Sequence, residues 1–378
     1  MKYERYKSLL DLGKITSSNN FLKNKSKNIR LKLGYNPIDG SIKLLKKNAY
    51  RHIKASHFIK NNEPEFHLKD VCKNIKSIAK KQKLTFKKIF GLSYKDKPLV
   101  NLITKKTKIK KFSLNHFFKK LEKKINTEKL LFHFENLKLS NIKKKEKFDI
   151  LILRHIWEHV FDQRSFLKKI SHATHNQTLF YFEVPDSEKM IKKFDYSMIW
   201  EEHMYYYSKI SLMNSLHNHN FKILKFLRYK QKYEDILCVV ATKNHNLNKE
   251  KIKKDKRLVR LSINYGKKFF FLKRYYKKKF KEISLKGNLF AYGASHMLNV
   301  FINIFNLENF LSLIIDDNKI KQNNYMFYNN LKIYSFQHLK KNYIKNCLLA
   351  VNPESSSKLK KKITYLKKKK IKIFSIFQ

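Results

Sequence analysis

Three short stretches of this 378-residue chain hold side chains whose types and spacing could do chemistry. The first is Phe182-Glu183-Val184-Pro185-Asp186, followed on the next connection by Trp200-Glu201-Glu202-His203-Met204-Tyr205. A carboxylate ending one strand and a Glu-His pair just beyond it put ionisable groups at a sheet's C-terminal edge, where open α/β sheets bind ligands. An imidazole titrates near neutrality, so a positioned one can take a proton from a weak acid. A histidine satisfied in an interface would read the same way locally. The second stretch, Arg154-His155-Ile156-Trp157-Glu158-His159, contains a His-x-x-Glu-His pattern that formally fits an inverted zinc-protease motif. That motif needs both histidines on one helix. Here the pattern abuts a strand, so no metal is expected. The third is Ala291-Tyr292-Gly293-Ala294-Ser295, with Asp316-Asp317 ending the next apolar run. A glycine turn into a helix exposes backbone N–H groups to an anion, and an acid one strand later can take a ribose hydroxyl. A tight turn with no ligand is the plainer reading of the same residues.

The elements that must position these groups alternate. Residues 148–153 form a short apolar strand and residues 164–171 a helix. Residues 178–184 form a second strand, halted by Pro185, and residues 210–218 another helix. Residues 221–229 and 236–242 suggest a hairpin at the end of the sheet. Upstream, residues 1–45 are short segments with turn signals at Asn36-Pro37 and Asp39-Gly40. Residues 47–83 have helical spacing, and a strand-like run at 84–90 meets Gly91. Residues 243–286 form a basic, helical connector whose aromatic residues lie against a neighbouring domain, an anionic membrane surface being the alternative. Beyond Gly287 the alternation restarts, with strands at 288–292, 310–315, 347–351 and 371–376. Strand–helix alternation implies an α/β fold with mostly parallel sheets.

Composition narrows the class. With 42% hydrophobic and 14% aromatic residues the chain can build buried cores, despite 30% charged residues. No apolar run nears the roughly 20 residues that span a bilayer, and the first residues lack a signal peptide's apolar stretch. Three scattered cysteines make neither a disulfide framework nor a metal cluster, so a cytoplasmic protein is expected. The net charge of +56 raises nucleic-acid binding as a reading. Its lysines are spread over the whole chain, and Gly (7) and Pro (5) are scarce beside Phe (30) and Tyr (21). That balance suggests compositional drift, so no specific nucleic acid is expected as partner.

Taken in order, FDILILRHIWEHVFDQRSFLKKI, FEVPD with EEHMYYYS, AYGAS and IIDDNKIKQ resemble the sugar C-methyltransferase family of S-adenosylmethionine (SAM)-dependent enzymes. LLDLGKITSSNNFL near the start is similar to that family's opening. The resemblance implies a small zinc-binding-like N-terminal region (1–46), a class I, Rossmann-like methyltransferase domain with a helical lead-in (47–245), the basic connector (246–285), and a smaller C-terminal Rossmann-like α/β domain (286–378). It implies SAM as cofactor, a nucleotide-linked keto-deoxysugar as substrate, and deprotonation of a carbon beside the ketone followed by methyl transfer. By the same resemblance His203 is the base, Glu202 the carboxylate beside it, and Tyr50 a tyrosine reaching the sugar. Glu158 and His159 match the segment lining the donor pocket, and Tyr292, Gly293, Ala294, Asp316 and Asp317 face the nucleotide; at the donor loop itself the chain departs from the family, with Gly91 its one glycine and Asp96 a cofactor-binding residue of a variant pocket. The chain departs from the family at its zinc cysteines, where Tyr3, Tyr6, Asn36 and Asp39 stand, so no structural zinc is expected. It also carries one glycine in the donor loop and no acid near Asn115. A methyltransferase-like subunit that binds the sugar nucleotide without transferring methyl groups is the alternative. Oligomeric state is left open, a homo-oligomer included.

Overall fold

The run Phe148–Arg154 is buried along nearly its whole length, the pattern of a central strand covered by helices on both faces. A computed structural model describes residues 5–16, 28–45, 65–114, 147–244, 250–326, 331–341, 344–351 and 359–376. It begins with three antiparallel strands, β1 (Lys7–Thr16), β2 (Asn28–Tyr35) and β3 (Ile42–Leu44). Next come α1 (Leu68–Lys81), β4 (Lys88–Gly91), α2 (Lys97–Thr104) and β5 (Lys110–Ser113). The central strand is β6 (Phe148–Arg154), followed by α3 (Gln163–Ser171), β7 (Thr174–Asp186), α4 (Glu188–Lys193) and β8 (Tyr205–Tyr206). After α5 (Lys209–Asn218), the hairpin β9 (Phe221–Tyr229) and β10 (Asp235–Lys243) closes the sheet.

The order of this sheet is β5-β4-β6-β7-β10-β9. Its first four strands are parallel, and β10 runs against both neighbours. Apolar residues of α1 and α2 cover one face, with Val71, Ile75, Leu99 and Ile103 against Ile150 and Ile152. On the other face, Phe166, Leu167, Leu212 and Leu216 of α3 and α5 meet Leu151, Leu153 and Phe180. This is the open, doubly wound arrangement that exposes a ligand edge at the strands' C-terminal ends.

The expected stop at Pro185 is corrected: β7 runs on to Asp186, and Pro185 pairs with Ile236 of β10. Pairing with β6 has already ended at Arg154–Glu183, so the proline stands where the strand is paired on one side only. The strand expected over 84–90 is shorter, starting at Lys88. Of the helix expected over 47–83, Leu68–Lys81 is helical, while residues 65–67 and 82–83 are turns or irregular; residues 46–64, Tyr50 among them, lie outside the described residues.

The basic connector is one 30-residue helix, α6 (Lys256–Leu285), capped by Asp255 accepting from the N–H of Leu258. It leads into β11 (Leu289–Tyr292), α7 (His296–Phe305), β12 (Leu313–Ile315), β13 (Tyr325–Met326), β14 (Leu331–Tyr334), β15 (Asn346–Leu349), α8 (Lys360–Lys368) and β16 (Lys372–Ser375). These strands form a second sheet, β13-β14-β12-β11-β15-β16, parallel apart from β13. The short pair β13–β14 was not foreseen, because two- and four-residue strands carry too little periodicity to register. The buried side of α6 (Phe269, Tyr276, Phe280) meets Phe301 and Phe305 of α7, the expected aromatic contact. Phe271 and Tyr275 stay exposed on α6.

The N-terminal sheet meets the same helix at Gly40. Its φ is +72°, and an added Cβ would lie 2.4 Å from the backbone carbon of Leu258. The Ser262 hydroxyl donates to the Gly40 carbonyl at 2.6 Å. Backbone thus approaches backbone where a side chain has no room. Gly40→Ala should lower unfolding stability by at least about 1–3 kcal/mol in denaturant titration, whereas an unchanged midpoint would mean that this contact does not join the two elements.

Candidate active site

Because β4, β6 and β7 are parallel neighbours, their C-terminal ends at Gly91, Arg154 and Asp186 share one edge. A buried ion pair braces that edge. Arg154 and Glu183 are paired across β6 and β7, and Nε of Arg154 donates to Glu183 Oε1 at 2.9 Å, with Nη2 at the same distance. Nη1 of Arg154 donates to the Lys95 carbonyl in the turn after β4. Glu183 also meets Nε2 of His67, before α1, at 3.1 Å, the Tyr181 hydroxyl at 2.6 Å and Nε2 of His155 at 3.2 Å. Burial alone would raise the Glu183 pKa. Hydrogen bonds from His155 and His67 and the charge of Arg154 instead hold it well below the usual carboxylate range.

The turn after β4 is closed by Asp96. Its Oδ2 accepts from the N–H of Ser93 at 2.6 Å and its Oδ1 from the N–H of Arg154 at 2.9 Å. A Cβ on Gly91 would sit 3.0 Å from the Asp96 Cβ, so the glycine makes room for this carboxylate. Asp96 is fully buried, and burial pushes its pKa up to about 7 against the opposing hydrogen bonds and Arg154. The sequence placed Asp96 in the donor pocket; the structure turns it inward as the closure of the turn.

After β6 the chain turns sharply. His155 takes φ +50°, uncommon without glycine, and residues Trp157–His159 form one 3₁₀ turn. Trp157 is anchored in the core against Phe182, its indole N–H donating to Ser215 Oγ at 3.2 Å. Glu158 and His159 sit beside it at the edge, both buried. His155 is not paired with His159 on a helix but points to Glu183 and Glu158, with Nδ1 3.4 Å from Glu158 Oε1. Neither oxygen of Glu158 and neither ring nitrogen of His159 makes a hydrogen bond of good geometry among the described residues. The His159 pKa lies well below its ordinary value, from burial first and then the nearby charges of His203 and Lys95.

His203 reaches this edge from the loop before β8. The Tyr206 hydroxyl accepts from the Trp200 N–H at 2.7 Å and donates to the Trp200 carbonyl at 3.0 Å. Tyr205 and Tyr206 pair with Lys43 and Ile42 of β3, so the N-terminal sheet pins the loop. Ring centroids of His203 and His159 are 4.7 Å apart, and those of His203 and Trp200 5.0 Å. Trp200 stacks on His296 of α7 at 4.9 Å, bringing the C-terminal unit to the same place. Burial and Lys321 push the His296 pKa down to about 4. Glu202 is buried beside His203. The structure therefore gathers Glu158, His159, Glu202 and His203, which the sequence had put in two separate stretches, and adds Trp200 and His296.

The other expected groups lie apart. Among the described cysteine-replacing positions, Asn36 accepts from the Ile38 N–H, Asp39 from the Ser41 N–H and hydroxyl, and Tyr6 meets Ser41; Tyr3 lies outside the described residues. In the second sheet, Asp316 Oδ2 accepts from the Ala294 N–H at 2.7 Å and Tyr292 donates to Asp317 at 2.8 Å. Gly293 has φ +105°, and a Cβ there would lie 2.7 Å from Val351. Tyr292, Gly293, Ala294, Asp316 and Asp317 thus lie on two adjoining turns, and Asp316 spends its carboxylate on the turn.

Residues 86–225 match the family model described as "Methyltransferase domain". That stretch runs from just before β4 into β9 of the central sheet, which is thus similar to a methyltransferase domain. No curated protein matches the chain. Among solved structures, the Burkholderia thailandensis 1,6-didemethyltoxoflavin-N1-methyltransferase is 10% identical, covering 47% of this chain and 78% of its own, with a TM-score of 0.32. The CurJ carbon methyltransferase is 9% identical over 46% and 54%, with a TM-score of 0.31. The N-terminal domain of EvdMO1, solved with S-adenosylhomocysteine and D-fucose, is 10% identical over 48% and 85%, with a TM-score of 0.30. All three are distant likenesses.

The donor used by methyltransferase domains of this kind is SAM, and the edge offers two tests of its fit. The buried Glu158 oxygens, which make no hydrogen bond of good geometry among the described residues, suit the polar, cationic part of such a donor, with His159 beside them. The turn after β4 instead spends the Ser93 N–H on Asp96. Asp96 also yields a pH test. A carboxyl raised from 3.8 to about 7 by folding contributes stability that is complete below about pH 4 and lost as pH rises through about 7. Wild type should lose stability relative to Asp96→Asn over that window in urea melts; parallel profiles would mean that Asp96 titrates normally.

Proposed function

We propose that the chain is a SAM-dependent C-methyltransferase acting on a nucleotide-linked keto-deoxysugar. One observation supports this reading most: His203 stands at the ligand edge of a methyltransferase domain, beside Glu202 and facing Glu158 and His159. Carbon beside a ketone is a weak acid and needs both a positioned base and stabilisation of the enolate. His203, partly exposed on a loop held by Tyr206, takes that proton, and Glu202 beside it favours the imidazolium that results. Neutral His159, buried and unable to charge readily, serves as an uncharged hydrogen-bonding group in the donor pocket beside His203. Trp200 and His296 shield the site from water with stacked rings.

SAM supplies the electrophilic methyl group when bound. Glu158 and His159 would hold its charged end, and Gly91 admits the Asp96-closed turn on which it would rest. Tyr50 belongs to the sugar site by family resemblance alone. In this reading the C-terminal unit, from about residue 286, carries the nucleotide at Tyr292, Gly293, Ala294, Asp316 and Asp317, and residues 1–46 serve as a brace for the His203 loop. The protein works in the cytoplasm.

His203→Ala should cut turnover by about 10²–10⁴-fold while calorimetric titration with SAM gives an unchanged affinity. Unchanged turnover would remove His203 as the base. Absence of SAM binding to wild type would favour a sugar-nucleotide-binding subunit that transfers no methyl group.

A further inference from the structure

The donor atoms at the ligand edge have a composition that proton transfer does not use up. Glu158, His159 and His203 each offer one ligand atom, and these atoms lie within 4.8 Å of one another. The Glu158 side chain is 2% exposed and that of His159 1%. Neither Glu158 oxygen makes a hydrogen bond of good geometry among the described residues, and the polar neighbour of the buried His159 ring on the next loop is the Glu202 main chain. Burying a carboxylate without donors is costly unless a cation compensates it. The imidazoles nearest Glu158 Oε1 stand at 3.4 Å (His155) and 4.0 Å (His159).

We propose that Glu158, His159 and His203 form a binding site for a divalent transition-metal ion of the zinc class. Two imidazole nitrogens and one carboxylate oxygen suit zinc, whereas calcium and magnesium prefer all-oxygen shells. Ligands at 2.0–2.1 Å from a tetrahedral ion lie roughly 3.4 Å apart. Closure of about 1 Å is therefore required, and His203 sits on a loop between Trp200 and β8 rather than in a helix or strand. His203 is partly exposed, so an ion bound through it is reached from solvent. This differs from the His-x-x-Glu-His reading of the sequence: His155 is committed to Glu183, and the second imidazole comes from residue 203. The consequence for catalysis rests on the function proposed above. A metal on His203 occupies the lone pair that would take the substrate proton, so the loaded chain is inactive and the metal acts as a switch.

Binding is tested without turnover. The full chain, stripped with a chelator, is titrated with Zn²⁺ by calorimetry and with Co²⁺ by visible absorption. The expected result is one tight equivalent with the intense spectrum of tetrahedral cobalt. That equivalent should vanish in Glu158→Gln and in the loop variant His203→Ala, with circular dichroism unchanged. It should persist in His175→Ala, a histidine bonded to Asp149 and away from the edge. Absence of a tight equivalent, a weak octahedral spectrum, or equal binding by His203→Ala would overturn the site. A chain that binds zinc here and never methylates contradicts only the proposed function. One that turns over equally well with and without zinc contradicts only the switch.

Discussion

The ion pair between Arg154 and Glu183 is the constraint on which the rest of the edge depends. Arg154, the last residue of β6, and Glu183, where β7 leaves its pairing with β6, are opposite charges in register and fully buried, and neither can be left alone. Removing one partner of such a pair typically costs about 3–5 kcal/mol, because the other remains buried and uncompensated. Satisfying both recruits His67 ahead of α1, the Lys95 carbonyl after β4, Tyr181 on β7 and His155 after β6. The turn that carries Glu158 and His159 thus starts from a residue already fixed to Glu183. A network of this kind buys little stability over an apolar core, but it fixes one geometry.

Both glycine turns obey a second rule. After β4, Asp96 accepts from the Ser93 N–H; after β11, Asp316 accepts from the Ala294 N–H. In each, the space at glycine is taken by the chain's own atoms, Asp96 in one and Ala350 with Val351 in the other. Carboxylates here do inside the protein what an anionic ligand does at an open turn. Binding therefore falls to the side chains that project beyond the turns, and the loop holding His203 matters more than the glycines.

That loop shows how the three sheets combine. The N-terminal sheet reaches it through β3 and β8, the central sheet through His159, and the C-terminal unit through the stacking of His296 on Trp200. Where the family resemblance expects zinc thiolates, the corner at 36–41 is held by side-chain hydrogen bonds, and Asn214 of α5 donates to Asp39. The brace is kept by other chemistry.

Alternation of apolar runs and helical spacing made most of both large sheets legible, because periodicity reports burial directly. Pro185 misled because the reading assumed pairing on both sides, and the edge at that level is one-sided. Glu158-His159 and Glu202-His203 were each visible, but their meeting depends on β8 joining a sheet formed by the first residues, which no local spacing encodes. Arg154 hid for a related reason: a charge closing an apolar strand looks like its solvent end until the register sets Glu183 beside it. Trp200 and His296 meet only through packing between units. In the proposed reaction His203 draws a proton from carbon, and isotope exchange measures this without methyl transfer. Nucleotide-linked keto-sugars incubated with the chain in D₂O, followed by NMR, should gain deuterium beside the ketone with wild type and not with His203→Ala. Exchange no faster than without protein, or equal with both, would contradict it.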